Sequence, residues 1–150
     1  MSSSSAGATY RIRETDGTDE DAADILAEIH ELTFVDTAPV PKFDQGHWWL
    51  AFHGSEAVAF AGIVPSTHVF NAGYFCRVGV LDKHFGRRLQ LRLMRAVEAR
   101  ARLNGWCSII SDTTDNIHSA NNFIRAGYRL FAPAHPWAWP NTLYWRKDIK

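Results

Sequence analysis

The stretch YFCRVGVLDKHFGRRLQLRLMRAVEARARL, Tyr74–Leu103, decides how this chain is read. Phe75-Cys76-Arg77-Val78-Gly79-Val80 is an apolar strand that runs through Leu81-Asp82-Lys83-His84-Phe85 and Gly86-Arg87-Arg88 into a long amphipathic helix. A loop that turns straight into a helix leaves several backbone N–H groups unpaired and pointing one way, and the positive end of the helix dipole adds to them. Such a turn is an anion site, usually for phosphate. Arg87 and Arg88 stand in its first turn. A phosphorylated cofactor is therefore the first ligand to consider.

The surrounding elements follow from periodicity and turn chemistry. In the long helix, Leu89, Leu93, Ala96, Val97 and Leu103 share one face, and Arg88, Arg92, Arg95 and Arg102 share another. Asn104-Gly105 ends it, and Trp106–Ser111 is the next strand. A strand reached through a crossover helix lies parallel to the one it left, here 74–80. Upstream, Tyr10–Arg13 alternates as a first strand. Thr18 and Asp21 then resemble a capping box for a helix faced by Ala22, Ile25, Leu26, Ile29 and Leu32. Pro39 and Pro41 make 34–46 a loop or short irregular helix. Trp48–Phe52 and Ala57–Val64 form a hairpin around His53-Gly54-Ser55-Glu56, with Pro65 as its stop. Trp48 and Trp49 are adjacent on a strand and point to opposite faces, so one of them is expected in the core. Downstream, Asp115 or Thr114 caps a helix from Asn116 to Ala126, ended by Gly127. Tyr128–Phe131 and Thr142–Lys147 close the fold around His135-Pro136-Trp137-Ala138-Trp139-Pro140. The order is β-α-β-β-β-α-β-α-β-β, without an internal repeat.

Composition narrows the class. A chain of 150 residues with 46% hydrophobic and 13% aromatic side chains affords one well-packed domain, read as 10–150 behind a disordered tail at 1–9. Net charge is zero, which argues against a general nucleic-acid or membrane-surface binder. The charges are segregated all the same: eight of the sixteen acids lie between Glu14 and Glu31, and six arginines between Arg87 and Arg102. The ordinary reading of both is a solvated helix face, ahead of a nucleic-acid footprint. Cys76 and Cys107 each sit in an apolar run, which suits buried reduced thiols in a cytoplasmic protein. The Met1–Gly7 segment has no apolar core and is expected to be a tail, not a signal peptide, and no run reaches membrane-span length. The seven histidines show neither His-x-His nor an i, i+4 pair, so no metal is expected, and hydrolase and P-loop motifs are absent from the sequence.

Two motifs then carry a resemblance over about residues 10–148. After the 74–80 strand, Phe85-Gly86-Arg87-Arg88-Leu89-Gln90 stands where an Arg/Gln-x-x-Gly-x-Gly/Ala loop opens a helix, with Phe85, Arg88 and Gln90 replacing its defining residues. Further on, Asn116-Ile117-His118-Ser119-Ala120-Asn121-Asn122-Phe123-Ile124-Arg125-Ala126-Gly127-Tyr128 follows Asn-x-x-Ala/Ser-x-x-Leu-Tyr-x-x-x-Gly-Phe/Tyr. The chain resembles the GCN5-related N-acetyltransferases. That resemblance implies an α/β fold with a mixed, mostly antiparallel central sheet, one splayed parallel strand pair and helices on both faces. It implies acetyl-CoA as co-substrate: Val78, Gly79 and Val80 pairing with pantetheine, and the Phe85, Gly86, Arg87, Arg88, Leu89 and Gln90 segment holding the pyrophosphate by backbone amides. Asn116, Ser119 and Phe123 would face the thioester, and an amide near Val78 would serve the oxyanion.

Acyl transfer to an amine needs a neutral amine, a stabilised oxyanion and a proton for the departing thiolate. Many relatives place a tyrosine donor where this chain has Phe123; here the thiolate leaves unprotonated, or through water, or with Tyr128 or Tyr74 as a substitute donor. Some place a glutamate base where this chain has Tyr74; His68, Glu56, Asp112 and His118 are the other titratable candidates. Each has an ordinary reading too: Glu56 a turn residue, His68 loop surface, Asp112 a strand-end cap, His118 an exposed helix residue. Trp137 and Trp139 form a pocket wall for an apolar or aromatic amine, a lid over the core, or a homodimer contact. The leading function is an acyl-CoA-dependent N-acetyltransferase acting by direct transfer in a ternary complex. The alternative is a non-catalytic acyl-CoA sensing module, and a more remote third is an interaction protein using the tryptophan-rich loop.

Overall fold

The computed structural model of the protein describes residues 9–34 and 38–150. The tail expected at 1–9 falls, apart from Thr9, outside the described residues, as do positions 35–37 of the expected 34–46 loop. Seven strands and three helices alternate: β1 (Tyr10–Thr15), α1 (Glu20–Thr33), β2 (His47–His53), β3 (Glu56–Pro65), β4 (Ala72–Val80), α2 (Leu89–Leu103), β5 (Ser108–Thr114), α3 (Ile117–Arg125), β6 (Arg129–Leu130) and β7 (Thr142–Asp148). A 3-10 turn at Asp82–His84 joins β4 to α2. The strands form one sheet in the order β1-β2-β3-β4-β5-β7-β6. Only β4 and β5 pair in parallel; the other neighbours are antiparallel. The expected order and sheet type are those observed.

Two cores sit on the two sheet faces. Leu26 and Ile29 of α1 pack with Phe43, Trp48, Leu50 and Phe60 on one side. Leu89, Leu93, Met94 and Val97 of α2 pack with Trp49, Ile63, Phe75, Ile109, Phe123 and Trp145 on the other. Full burial of a side chain such as Leu26 or Phe60 contributes roughly 1.5–3 kcal/mol. Because both faces are covered, Trp48 and Trp49 are both buried, not one of them. Trp48 fits because its partner across the β2–β3 ladder is Gly62, where a Cβ would run into the indole ring.

Several local expectations are corrected. The α1 cap is Asp19, whose carboxylate accepts from Ala22 N; Thr18 instead donates to Asp16 Oδ1 from both its amide and its hydroxyl. The α3 cap is Asn116, accepting from Ser119 N at 3.0 Å, and not Asp115 or Thr114. Ile25, Leu32 and Leu103 stay on the solvent side of their helices. β5 starts at Ser108, two positions later than expected, because Asn104–Cys107 turn over the sheet edge first.

The arginines of α2 are largely used within the protein. Arg92 donates to Tyr10 O, Arg100 to Glu14 and Arg102 to Glu98. They clamp the helix to β1 and to itself. No helix among the described residues is long and apolar enough to cross a membrane.

One irregularity shapes the functional end. The β3–β4 register steps from Gly62↔Arg77 to Ile63↔Phe75, so Cys76 is an extra residue bulged out of the ladder. At the same level β4 leaves β5: their pairing runs Ala72↔Ser108 to Tyr74↔Ile110 and then stops. The bulge bends β4, and Ser111 Oγ reaches across to donate to Phe75 O at 2.7 Å. Beyond that bond the two strands diverge around a cleft.

Candidate active site

The cleft has a volume of about 740 Å³ and is walled by β4 from Tyr74 to Val78, by β5 from Ser111 to Thr114, by the start of α3 and by the Trp137–Pro140 loop. Of the residues singled out from sequence, Tyr74, Val78, Asp112, Asn116, Ser119, Phe123, Trp137 and Trp139 line it. Gly79 and Val80 continue β4 away from it toward the 3-10 turn and the α2 entrance.

That entrance turns into the helix through two residues with positive φ. Gly86 has φ +75° and Arg88 has φ +60°, ψ +24°, so a non-glycine residue occupies the left-handed region. For an L-residue this costs roughly 1–2 kcal/mol. Nothing lies within 4 Å of where a Cβ on Gly86 would be, so the concave side of the turn is open. The 3-10 turn closes with Phe85 N donating to Asp82 O, and the helix ladder begins with Arg92 N on Arg88 O. Amides from Gly86 to Leu91 therefore fall between the two hydrogen-bonded systems, at the positive end of a 15-residue helix. Phe85 is half-exposed beside His118, and Leu89 is buried in the core, so only its backbone faces outward. Gln90 ties the entrance to α3: its Nε2 donates to Ser119 Oγ and its Oε1 accepts from Asn122 Nδ2, both at 3.0 Å. Gln90 is thus a strut between two helices.

The cleft itself is built from side chains. Tyr74 Oη donates to Asp112 Oδ2 at 2.6 Å, and Trp137 Nε1 donates to the same oxygen at 2.9 Å. Burial and the nearby Asp112 carboxylate raise the Tyr74 phenol well above its usual range, so it remains a protonated donor. Asp112 is thus not the strand-end cap expected from sequence but the hub of the cleft. The Trp137 ring stacks on His68 with centroids 4.3 Å apart and planes 6° from parallel, and meets Tyr144 edge-on at 4.6 Å. Tyr144 Oη also accepts from Ala138 N at 3.0 Å. These contacts hold the tryptophan loop as a wall, and Trp139 stands on its lip 77% exposed.

Two side chains of β4 complete the lining. Burial pushes the Cys76 thiol up to about 11. Arg77 reaches toward α1, donating to His30 Nε2 at 3.3 Å and to Cys76 O at 2.8 Å, with its guanidinium over Phe34. Burial, and then Arg77, lower the His30 imidazole, which accepts that bond as a neutral ring.

The remaining candidates are elsewhere. Tyr128 is in the α2–α3 core against Phe123, its phenol raised by burial and by Glu98, and it does not line the cleft. Glu56 begins β3 on the surface, and His118 is exposed on α3. Phe123 presents its ring to the cleft from a stack with Trp145. Among the described residues, no group of three or more His, Cys, Asp or Glu side chains is gathered as a metal site. Sequence reasoning undervalued Asp112 and gave Arg77 and Cys76 no role. The one available signal was that Asp112 is the one charged residue of β5, two positions after the Ile109-Ile110 pair.

The model of the acetyltransferase (GNAT) family matches residues 11–128. No curated protein matches the chain. Among solved structures, a protein from Klebsiella pneumoniae provisionally assigned as an acyl-CoA N-acyltransferase is 25% identical, with TM-score 0.71 over 95% of this chain and 99% of that one. A GNAT-family acetyltransferase from Staphylococcus aureus is 16% identical, with TM-score 0.74 over 95% and 100%. An acetyltransferase from Bacillus subtilis, solved in complex with CoA, is 14% identical, with TM-score 0.71 over 95% and 100%. With a family match across the sheet, the α2 entrance and the α3 motif, and the same fold in these neighbours, the chain belongs to the GNAT family of acetyltransferases.

Proposed function

We propose that the protein is an acyl-CoA-dependent N-acetyltransferase that passes an acetyl group from acetyl-CoA directly to an amine within a ternary complex. The observation that carries this reading is the divergence of β4 from β5 after Tyr74↔Ile110, which opens a side-chain-lined cleft, while β4 runs on to a helix entrance rich in unpaired amides. The open turn at Gly86 fits a pyrophosphate, held by amides from Gly86 to Gln90 with Arg87 and Arg88 adding charge-assisted bonds. The exposed β4 edge from Val78 to Val80 offers backbone groups to a pantetheine amide chain. Acetyl-CoA supplies the activated thioester. The Val78 amide stands where an oxyanion would form, and Asn116 and Ser119 border the same space. Tyr74, held protonated, serves as a positioning donor; Tyr128 has no role in this reading because it is enclosed in the core. The free thiols Cys76 and Cys107 suit a cytoplasmic location. Neither nucleic acid nor membrane is a partner in this reading.

One observation favours the second reading, a non-catalytic acyl-CoA sensor: Phe123, at the position of the expected donor, has no proton to give. Calorimetry with acetyl-CoA followed by thiol release across an amine panel decides between them. Binding with turnover supports the enzyme. Tight binding with no thiol release from any amine supports the sensor, and no binding sinks both.

A further inference from the structure

We propose that Asp112 and the aromatic side chains around it are the acceptor subsite, and that this subsite takes a primary amine carried on a flat apolar body, for which 2-phenylethylamine is the probe. The inference rests on the acyltransferase reading above and names the substrate of the side-chain-built cleft. Asp112 Oδ2 is saturated by two fixed donors, Tyr74 Oη and Trp137 Nε1. Nothing among the described residues donates to Oδ1, and this atom is not among the buried atoms left without a partner. Asp112 lines the cleft, so Oδ1 is a carboxylate oxygen offered to a ligand with its orientation already set. A carboxylate accepts hydrogen bonds and attracts a cation, which selects an ammonium group. The walls select the rest. Trp137 is pinned between His68 and Tyr144, and Trp139 is a large ring left uncovered on the lip. Indole faces attract both a cation and a flat apolar group. Among the described residues the one cation lining the cleft is Arg77, whose guanidinium is engaged by His30, Phe34 and the carbonyls of Pro39 and Cys76.

The chemistry balances. The bound ammonium gives one proton to Asp112 Oδ1 and becomes a neutral amine. Its nitrogen attacks the thioester carbonyl; the C–N bond forms, the C–S bond breaks, and the nitrogen's surplus proton goes to the departing sulfur. Asp112 then returns its proton to water, so the net products are amide, free thiol and one proton.

The test uses the full chain with 2-phenylethylamine, n-hexylamine and 3-phenylpropionate, and the variants Asp112→Asn and Trp139→Ala. Calorimetry with acetyl-CoA is run on every variant, and circular dichroism confirms that each is folded. We expect 2-phenylethylamine to be acetylated at least about tenfold more efficiently than hexylamine. Asp112→Asn should lower its kcat/KM on the order of a hundredfold with acetyl-CoA affinity kept, the size expected when one partner of a desolvated charge pair is removed. Trp139→Ala, at an exposed position, should raise KM for 2-phenylethylamine about threefold and shrink its advantage over hexylamine. Acetyl-CoA binding together with a preference for hexylamine, or with wild-type rates in Asp112→Asn, overturns the inference while leaving the acyltransferase reading standing. If acetyl-CoA does not bind, the earlier reading fails by itself. Titration of the free protein with 2-phenylethylamine then tests the subsite directly: binding that Asp112→Asn abolishes and 3-phenylpropionate cannot reproduce supports it, and no binding overturns it.

Discussion

The cleft and the α2 entrance beyond it are built by opposite means. At the α2 entrance the groups proposed to bind are backbone amides, and the side chains serve the fold: Arg88 holds a left-handed conformation that glycine adopts freely, and Gln90 is a strut to Ser119 and Asn122. At the tryptophan loop the working groups are side chains, and each is held by a specific partner: Asp112 by Tyr74 and Trp137, and Trp137 by His68 and Tyr144. A backbone-built site survives substitution because any residue supplies the N–H. A side-chain-built site does not. Mutations should therefore be graded at the entrance and steep at the loop.

The steepest expected effect is at the hub. Asp112→Ala strands two donors in the cleft wall, each at a cost of about 1–3 kcal/mol if left unpaired, and acetylation should fall at least about a hundredfold while acetyl-CoA affinity holds. Parallel calorimetry and thiol-release assays check it; equal losses at both sites would break the contrast. Cys76 gives a comparably large effect by a different readout. With its thiol pushed from 9.0 to about 11, its thiolate fraction near pH 8 is on the order of a hundredfold below that of an unperturbed thiol. Alkylation followed by mass spectrometry should find Cys76 slow at pH 8 and faster toward pH 11, with acetyl-CoA shielding it further. The sign for stability follows: the folded protein holds this proton more tightly than the unfolded chain, so the contribution is full below pH 9 and is lost as pH rises toward 11. Urea titrations at pH 8 and pH 10.5 read it.

At the entrance the effects are smaller. Arg87→Ala combined with Arg88→Ala should weaken acetyl-CoA binding about tenfold and flatten its salt dependence, as two solvent-facing charge-assisted bonds are lost. Unchanged affinity would mean that amides alone hold the phosphates. Smallest is Arg88→Gly, which relieves the left-handed strain and, after the entropy that glycine adds to the unfolded chain, should stabilise the fold by up to about 1 kcal/mol. A rise of a few degrees in Tm checks it, and a fall would show that Arg88 makes interactions worth more than the strain it bears.

Much of the fold was legible because it is written in local periodicity and turn residues. The 3.6-residue repeat of Leu89, Leu93 and Val97, the Gly54 hairpin and the Gly105 and Gly127 helix ends all mark elements where they occur. Helix caps were less legible: Thr18 and Asp19 are both good capping residues, and the choice went to Asp19 because Asp16 draws the Thr18 hydroxyl away. Trp48 and Trp49 were misjudged because a period of two says that neighbours face opposite ways, not that one way is solvent. The bulge at Cys76 adds one residue to a strand and leaves composition and alternation almost unchanged, so its effect on β5 was hidden.

By itself the sequence determined the order of strands and helices, the strand-turn-helix from β4 into α2, and the Asn116–Tyr128 motif, since each depends on residues within a turn or two of one another. Only the tertiary structure decided which residues meet in the cleft. Tyr74 and Asp112 lie 38 positions apart and Trp137 another 25 beyond. Their shared hydrogen bonds exist because a bulged strand parts from its parallel neighbour and a loop folds back over the gap, and no local pattern encodes that distance.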